Sequence, residues 1–179
     1  MPLSSRRIPT PLGDMLALAS GTGLCLLEFA DGTAHLEREL AQVQAAHGPA
    51  AGGPSTVLDQ VQAELDGYFA GQRQRFEAPL DPVGTPFQLR VWHALLAIPY
   101  GATWSYGQEA QHIGQPAAAR AVAAANGQNK IAIVVPCHRV IGGNGALTGY
   151  GGGLPRKRWL LDLERQHAVP DAQTQSLDL

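Results

Sequence analysis

A run of apolar, mostly β-branched residues, Ile131-Ala-Ile-Val-Val135, ends at Pro136 and is followed directly by Cys137 and His138. Such a run is typical of a buried strand, and a proline ends a strand or confines it to a sheet edge. The sequence therefore predicts a strand that leaves the core at Cys137. Because neighbouring side chains on an extended chain point to opposite faces, we expect a turn or a bridging water to connect His138 with the sulfur.

Cys137 is the candidate nucleophile of the chain. A cysteine becomes nucleophilic when nearby cationic or hydrogen-bonding groups stabilise its thiolate, and His138 and Arg139 follow it directly. A buried structural cysteine beside an unrelated histidine is the alternative, and the adjacency alone does not decide between them. A chain of 179 residues buries a core without a disulfide, so we expect Cys137 and Cys25 to be free thiols in a reducing compartment.

The segment 142–153 after this motif is rich in glycine and contains Tyr150. Glycines let backbone amides approach a flat ligand closely, although the segment is equally compatible with a mobile surface loop. It has no phosphate-binding P-loop pattern. The six histidines are scattered along the chain and neither cysteine belongs to a C-x-x-C pair, so we expect no metal and no cofactor.

Charge divides the chain into two unlike halves. Residues 1–83 contain five arginines and ten acidic residues, for a net charge of −5, whereas residues 84–166 contain eight basic and three acidic residues, for +5. This asymmetry favours a nucleic-acid-facing surface in the second half. No apolar run approaches the roughly 18 residues of a membrane span, and the first residues lack a hydrophobic signal segment. We therefore expect a cytoplasmic protein with no membrane partner.

The first half, residues 1–83, is predicted to be an α+β domain that contains no catalytic residue. Short apolar segments cut by turn residues predict a small meander over residues 5–30. Apolar residues at helical spacing predict helices near residues 36–43 and 57–68. The segment 47–54 between them is rich in glycine, alanine and proline, and we expect it to be a flexible link.

The second half, residues 84–166, is predicted to be mainly helical. Thr85-Pro86 is typical of an N-cap followed by proline at the first helical position, and Ser105-Tyr-Gly-Gln108 has the spacing of a capping box. Pro116 is expected to open a further helix over residues 117–125. A short helix, a turn and a second helix have the spacing of a helix-turn-helix.

The second helix of this pair is mostly alanine and carries one long side chain, Arg120. It therefore reads little base sequence in a major groove. Small residues such as Ala118 and Ala119 let a helix press against a DNA backbone or a shallow groove, from which one arginine reaches into the base stack. An alanine-rich core helix with Arg120 in solvent is the alternative.

Taken together, these motifs resemble the O6-alkylguanine-DNA alkyltransferases, also called methylated-DNA–protein-cysteine methyltransferases. The resemblance runs from about residue 85 to residue 164, and Pro136-Cys-His-Arg-Val140 is its most specific part. The other ordered motifs are Phe87-Gln-Leu-Arg-Val-Trp92, Ile98-Pro-Tyr-Gly101, Ser105-Tyr106, Arg120-Ala-Val122, Asn126-Gly127, Gly149-Tyr150 and Arg156-Lys157.

The resemblance implies an α+β fold in two domains. A small ribonuclease-H-like α/β domain is expected over residues 1–83, and a helical, winged helix-turn-helix-like domain that binds DNA and carries the chemistry over residues 84–166. A polar tail, residues 167–179, is expected to be disordered. A last helix after Pro155 is expected to bring Glu164 to the site.

The implied function is direct-reversal DNA repair. The alkyl group on O6 of guanine moves to a cysteine in a reaction that consumes the protein, and O4-alkylthymine is a further substrate left open. The implied partner is double-stranded DNA with an alkylated guanine, bound through its minor groove by a monomer that flips the base out of the stack. No cofactor is implied.

The resemblance also implies roles for single residues. Cys137 matches the alkyl acceptor, His138 the base that deprotonates it through a water, and Glu164 the carboxylate that orients the histidine. Asn129 matches the asparagine that braces the neighbouring turn. The residues that match positions facing DNA or the flipped base are the finger Arg120, Tyr106, the Val140 carbonyl, Tyr150, Ala118, Ala119, Gly151 and Gly152.

Two departures from the family pattern are visible. Lys130 stands where many members have proline, which predicts a looser turn and an added cation near DNA. Members that bind zinc use cysteines and histidines of the first half, and Cys25 alone does not reproduce that set, so no metal is expected.

Two functions of other classes remain as alternatives. A cysteine hydrolase would use the same pair of residues but would turn over on esters or peptides. A non-catalytic helix-turn-helix regulator would prefer a base sequence and tolerate Cys137→Ala, which the alanine-rich helix argues against.

Overall fold

The computed structural model describes residues 2–168. The disordered tail predicted for residues 167–179 lies, from residue 169 on, outside the described residues. At its first residue the prediction is wrong, because His167 is the last residue of a helix, Leu154–His167, and its ring contacts the Leu163 carbonyl one turn earlier. Within residues 2–168, no helix is long and apolar enough to cross a membrane. Cys25 and Cys137 are both free thiols.

A four-stranded sheet forms the centre of the first half. Its strands are β1 (Leu3–Ile8), β2 (Met15–Ala19), β3 (Leu24–Phe29) and β4 (Ala50–Ala51), in the order β3-β2-β1-β4. The first three strands are antiparallel, as the predicted meander requires, and β4 runs parallel to β1. The prediction of a flexible link over 47–54 is wrong at β4, because a two-residue edge strand is too short to show a side-chain period.

Two helices accompany this sheet, α1 (Thr33–His47) and α2 (Thr56–Phe69), close to the positions that apolar spacing predicts. The side chain of Ser55 caps α2 by accepting a hydrogen bond from the Leu58 amide. The buried face of α2 includes Tyr68, which has no exposed surface.

The second half consists of four helices: α3 (Pro86–Leu95), α4 (Tyr106–His112), α5 (Ala119–Gly127) and α6 (Leu154–His167). Both predicted caps are present, since Thr85 and Ser105 each form a complete capping box with the glutamine three residues later. Two short strands, β5 (Trp104–Ser105) and β6 (Val140–Ile141), pair in parallel.

The start of α5 differs from the prediction. Pro116 does not open the helix; the Ala118 amide donates to the Gln115 carbonyl at 2.9 Å, which closes a turn with proline at its second position. The helix begins at Ala119. A proline suits the second position of a turn as well as the first position of a helix, so its presence alone did not distinguish them.

The buried run 131–135 also differs from the prediction: it is not a strand. Only Ile131 forms a bridge, to Leu27 of β3, after which the Val135 amide turns back to the Ile131 carbonyl at 3.0 Å. Ile133 has a φ of 69°, a left-handed conformation that costs a β-branched residue about 1–3 kcal/mol. The side chain of Ile133 is buried, so its packing offsets part of that cost.

The same segment joins the two halves of the molecule. The Leu27 amide donates to the Lys130 carbonyl and the Ala132 amide donates to the Leu27 carbonyl, both at 2.8 Å. The edge of the first-half sheet thus holds the turn that precedes Cys137. One continuous cluster of buried apolar residues runs through both halves.

Candidate active site

Cys137 lies at the point where the chain leaves the buried turn. It begins a single 3-10 turn, Cys137–Arg139, and is half-buried between the buried residues Pro136 and His138. The Cys137 amide donates to the Val135 carbonyl at 2.8 Å. The backbone therefore coils here instead of extending, and the turn expected between Cys137 and His138 is present.

Asn129 braces the turn from inside. Its side-chain Nδ2 donates to the Val135 carbonyl at 2.9 Å and, at 3.4 Å, to the Ile131 carbonyl, while its Oδ1 accepts from the Ile131 amide at 3.0 Å. A buried amide with both ends bonded fixes the path of the chain from residue 129 to residue 135. This is the position expected for a residue that holds the turn beside the nucleophile.

His138 is fully buried and its Nε2 lies 2.7 Å from Glu164 Oε2. Burial lowers the pKa of His138, although Glu164 opposes that effect, so the ring is neutral at neutral pH. A carboxylate only accepts hydrogen bonds, so we assign the ring proton to Nε2. Nδ1 then carries a free lone pair, and it has no hydrogen-bond partner among residues 2–168.

Glu164 collects hydrogen bonds from three other residues. Arg139 donates from Nε to Oε1 at 2.7 Å and from Nη2 to Oε2 at 3.1 Å, and the Tyr68 hydroxyl donates to Oε2 at 2.7 Å. The Gly101 amide completes the set at 3.5 Å. Burial alone would raise the pKa of Glu164, but His138 and Arg139 outweigh it and hold that pKa far below its usual range.

The thiol of Cys137 needs help to ionise. Burial raises its pKa to about 12, while the polar side chain of Asn129 and the charge of Lys157 act in the opposite direction. Lys157 is fully buried, and its Nζ donates to the Val140 carbonyl at 2.6 Å and to the Thr148 carbonyl at 2.7 Å. A fixed buried ammonium group therefore lies in the electrostatic neighbourhood of the sulfur.

The glycine-rich segment forms one side of the site. The Tyr106 hydroxyl donates to the Thr148 carbonyl at 3.2 Å, and the half-buried Tyr150 has a buried hydroxyl without a hydrogen-bond partner in the described part of the chain. A Cβ on Gly152 would lie 2.8 Å from the Tyr150 ring and 2.9 Å from Phe29 of β3. Only glycine fits at 152, because the sheet presses the loop against the tyrosine.

The helix-turn-helix presents a smooth outer face. At the start of α5, the N-cap residue Ala118 and the first helical residue Ala119 are half-buried. Arg120 is exposed, with no hydrogen bond or salt bridge to the residues that the structure describes. Between α4 and α5, Asn126 Nδ2 donates to the buried Glu109 carboxylate at 2.6 Å, and burial raises the pKa of Glu109 to about 7. Arg120 thus projects from a helix whose packing does not need it.

The interpretation of Lys130 as a loose, DNA-facing cation is wrong. Lys130 is 4% exposed, its Nζ donates to the Val83 carbonyl at 2.9 Å, and the ammonium group lies 5.0 Å from the centre of the Trp92 ring. A buried lysine that reaches a carbonyl and an aromatic face stiffens this segment. The long aliphatic side chain of Lys130 lets its ammonium group reach both Val83 and Trp92, and the position of Lys130 in the sequence does not predict these contacts.

Sequence reasoning missed part of the site. Tyr68 belongs to the half for which the sequence predicts no catalytic residue. The helical spacing of apolar residues on α2 predicts only that its side chain is buried. Lys157 appeared only as part of a motif, without a role. The sequence predicts that Arg139 is a cation beside the thiolate, whereas in the structure its guanidinium group binds Glu164.

Two further clusters of possible metal ligands lie in the first half. They are Cys25–His47–Asp81 and Glu28–His35–Glu39, and within each the ligand atoms lie within 4.8 Å of one another. Each cluster combines residues from separate elements, so neither has a recognisable spacing in the sequence.

Comparisons with known proteins find matches to both halves of the chain. A family model described as the DNA binding domain of 6-O-methylguanine DNA methyltransferase matches residues 86–166, and one described as the ribonuclease-like domain matches residues 6–82. The methylated-DNA–protein-cysteine methyltransferase of Mycobacterium tuberculosis is 49% identical over 166 residues, which cover 93% of this chain and 94% of that protein.

Solved structures extend the likeness to the fold. A crystal structure of the M. tuberculosis O6-methylguanine methyltransferase matches with a TM-score of 0.80 and 45% identity, covering 96% of this chain and 98% of that chain. A crystal structure of M. tuberculosis OGT in complex with DNA matches with a TM-score of 0.79 and 46% identity, covering 94% and 97%. The expected α+β fold, a small sheet-containing part followed by a helical part, is confirmed.

Proposed function

This chain belongs to the 6-O-methylguanine DNA methyltransferase family, and from that membership we propose that it repairs DNA directly, moving the alkyl group from O6 of a guanine to its own Cys137. The observation that carries the assignment of residues is the chain of contacts from Glu164 to His138, which leaves Nδ1 of the imidazole free beside the Cys137 turn. A neutral histidine with that lone pair free is a general base.

In the first step His138 takes the thiol proton at Nδ1 through one bridging water. The imidazolium that forms is stabilised by Glu164, which remains ionised because its pKa is so low. Lys157 and Asn129 stabilise the thiolate that is left. The high pKa of the resting thiol keeps Cys137 protonated until this relay acts, which protects it from oxidation.

In the second step the sulfur attacks the alkyl carbon in line with the O6–carbon bond. The new S–C bond forms as the C–O6 bond breaks, and the electron pair of that bond stays on the guanine. The guanine anion takes a proton, and we assign its donor to the Tyr106 hydroxyl; Tyr106 regains a proton from solvent as the His138 imidazolium releases one. The Val140 carbonyl and the Tyr150 ring form the walls that hold the base.

We assign the contact with DNA to the second half, residues 84–166, with residues 1–83 as its support. Arg120 is the one long side chain at the start of α5, and Ala118 and Ala119 beside it let the helix sit in the minor groove. Arg120 then fills the space of the flipped alkylguanine, while Gly151 and Gly152 let the loop approach the extruded nucleotide. The protein acts as a monomer, in the cytoplasm, where the free thiol is maintained.

The product is a thioether, which is a very poor leaving group, so each molecule reacts once. The test is to mix the protein with a fivefold excess of duplex DNA carrying O6-methylguanine and follow repair to completion. Repair should stop at one lesion per protein molecule. Continued turnover would contradict the proposed reaction and would point to a hydrolase.

A further inference from the structure

The strongest feature outside the active site is the cluster of Glu28, His35 and Glu39. Glu28 lies on β3, and His35 and Glu39 lie one helical turn apart on α1. His35 Nε2 is 3.3 Å from Glu28 Oε2 and 3.4 Å from Glu39 Oε2. Glu28 and Glu39 are 6% and 3% exposed, while His35 remains accessible at the edge of the cluster.

The two buried carboxylates are only partly compensated by charge: burial raises the pKa of both, and the ammonium group of Lys130 lies close enough to oppose that rise but forms no salt bridge with either among the described residues. Both oxygens of Glu39 lack a hydrogen bond to any residue in the range 2–168. Within the same range, the only salt-bridge partner of either glutamate is His35. Burying two carboxylates is costly even beside the ammonium group of Lys130, and a buried acid whose oxygens accept no hydrogen bond calls for an explanation such as a bound ion.

The spacing of the three atoms fits a shared cation. Zinc and similar ions hold nitrogen and oxygen ligands at about 2.1 Å, so neighbouring ligand atoms lie about 3.0–3.4 Å apart. The two measured separations from His35 Nε2 lie in this range. The contacts are too poorly aligned to count as hydrogen bonds, which removes the simplest other reason for the convergence.

We infer that Glu28, His35 and Glu39 form a binding site for one divalent transition-metal ion such as Zn²⁺. The imidazole ligand favours zinc-like ions over Mg²⁺ or Ca²⁺, which prefer oxygen ligands alone. Two carboxylates would balance the charge of the ion, and His35 lies at the accessible edge of the cluster. This site was not expected from the sequence, because its ligands come from two separate elements.

The other cluster lacks these features. Cys25 Sγ contacts the Gly23 carbonyl at 3.6 Å and Asp81 Oδ2 at 4.0 Å, and His47 Nε2 lies 3.6 Å from the same oxygen. Asp81 Oδ2 also accepts from Ser20 at 2.6 Å. The polar groups of this second cluster are therefore already paired with one another. Because Cys25 lies outside the proposed site, the variant Cys25→Ser is a matched control for it.

The site touches the active-site loop. A Cβ on Gly151 would lie 3.1 Å from His35 Nε2, so the imidazole already rests against that glycine. The negative charge of Glu28 contributes to the raised pKa of Cys137. A bound cation would fix α1 against the loop and reduce that effect on the thiol.

The experiment is a titration of the full chain with ZnCl₂ after removal of metals with a chelator, followed by calorimetry and thermal unfolding. The wild type and Cys25→Ser should bind one equivalent. A zinc concentration of 100 times the Kd should raise their Tm by about 5–11 °C. Glu39→Gln and His35→Gln should bind at least about tenfold more weakly.

Circular dichroism before titration shows whether each variant is folded. If Glu39→Gln does not fold, the test remains valid with His35→Gln, because His35 lies at the accessible edge of the cluster. Absence of saturable zinc binding by the wild type would overturn the inference. Unchanged binding by His35→Gln, or its loss in Cys25→Ser, would also overturn it, because the ion would then lie elsewhere.

Discussion

The Tyr68 hydroxyl donates a 2.7 Å hydrogen bond to Glu164 Oε2, the same oxygen that lies 2.7 Å from His138 Nε2. Tyr68 lies on α2 of the first half and Glu164 on α6 of the second. The first half therefore takes part in holding the carboxylate that orients the general base, and does more than cover the core.

Removing that hydroxyl tests the connection. Tyr68→Phe should lower the free energy of unfolding by about 1.5–3 kcal/mol, because it removes a buried hydrogen bond to a charged group. It should also slow alkyl transfer several-fold. Urea denaturation and single-turnover kinetics measure the two effects. Tyr100→Phe is the matched control: the Tyr100 hydroxyl is buried without a partner among the described residues, so its loss should leave both quantities unchanged.

Glu164 should make stability depend on pH in a defined direction. Its pKa in the folded state lies below 4.5, its ordinary value, so its contribution is complete above pH 4.5 and is lost as the pH falls through the folded pKa. Glu164→Gln should cost about 3–5 kcal/mol at neutral pH, because Arg139 and His138 lose a buried partner. Thermal unfolding from pH 7 downwards should show the gap between wild type and variant closing.

Glu109→Gln provides the control of opposite sign. Burial raises the pKa of Glu109 to about 7, so its ionisation destabilises the fold as the pH rises from 4.5 towards 7. This variant should gain stability relative to wild type over the same interval. A gap for Glu164→Gln that stayed constant with pH would refute the charged state assigned to Glu164.

Lys157 should set the reactivity of the thiol. Its ammonium group lowers the pKa of Cys137, so Lys157→Met should raise that pKa and slow alkylation by iodoacetamide at pH 7.5 by about tenfold per unit of pKa change. The pH–rate profile should move to higher pH. Lys130→Met removes another buried ammonium group, which is bonded to the Val83 carbonyl, and should leave the pH–rate profile unchanged. Identical profiles for the wild type and both variants would disprove the role of Lys157.

Arg120 should matter only when the substrate is duplex DNA. Arg120→Ala should slow repair of duplex O6-methylguanine by about tenfold or more, because nothing then fills the gap in the base stack. Its reaction with the free base O6-benzylguanine and its stability should not change. Arg158→Ala, which removes an exposed arginine from α6, is the control for charge. Equal losses on duplex DNA from the two variants would mean that charge alone explains the effect.

The sequence predicted the elements whose signals are local. The capping boxes at Thr85 and Ser105 and the helical spacing of α2 need only a few neighbouring residues, and the structure contains all of them. The run 131–135 was misread because burial, not strand geometry, selects apolar residues. The Asn129 side chain and the left-handed backbone of Ile133 turn the chain there, and no repeating pattern of residues in the sequence predicts either of them.

The contacts between distant elements could not be predicted in the same way. Tyr68 and Glu164 are 96 residues apart, and nothing in the apolar period of α2 distinguishes a tyrosine hydroxyl that reaches a carboxylate. The role of Lys130 was misjudged for a related reason. Its long stem turns inward to Val83 and Trp92, which only the packing of α3 against this segment reveals.

Peptide mapping after reaction shows whether Cys137 accepts the alkyl group. Duplex DNA carrying O6-methylguanine with an isotopic label in the methyl group is mixed with the protein, which is then digested and analysed by mass spectrometry. We expect one labelled methyl group on Cys137, none on Cys25, and no transfer to the Cys137→Ser variant. Label on Cys25, or repair that leaves Cys137 unmodified, would contradict this assignment of the acceptor.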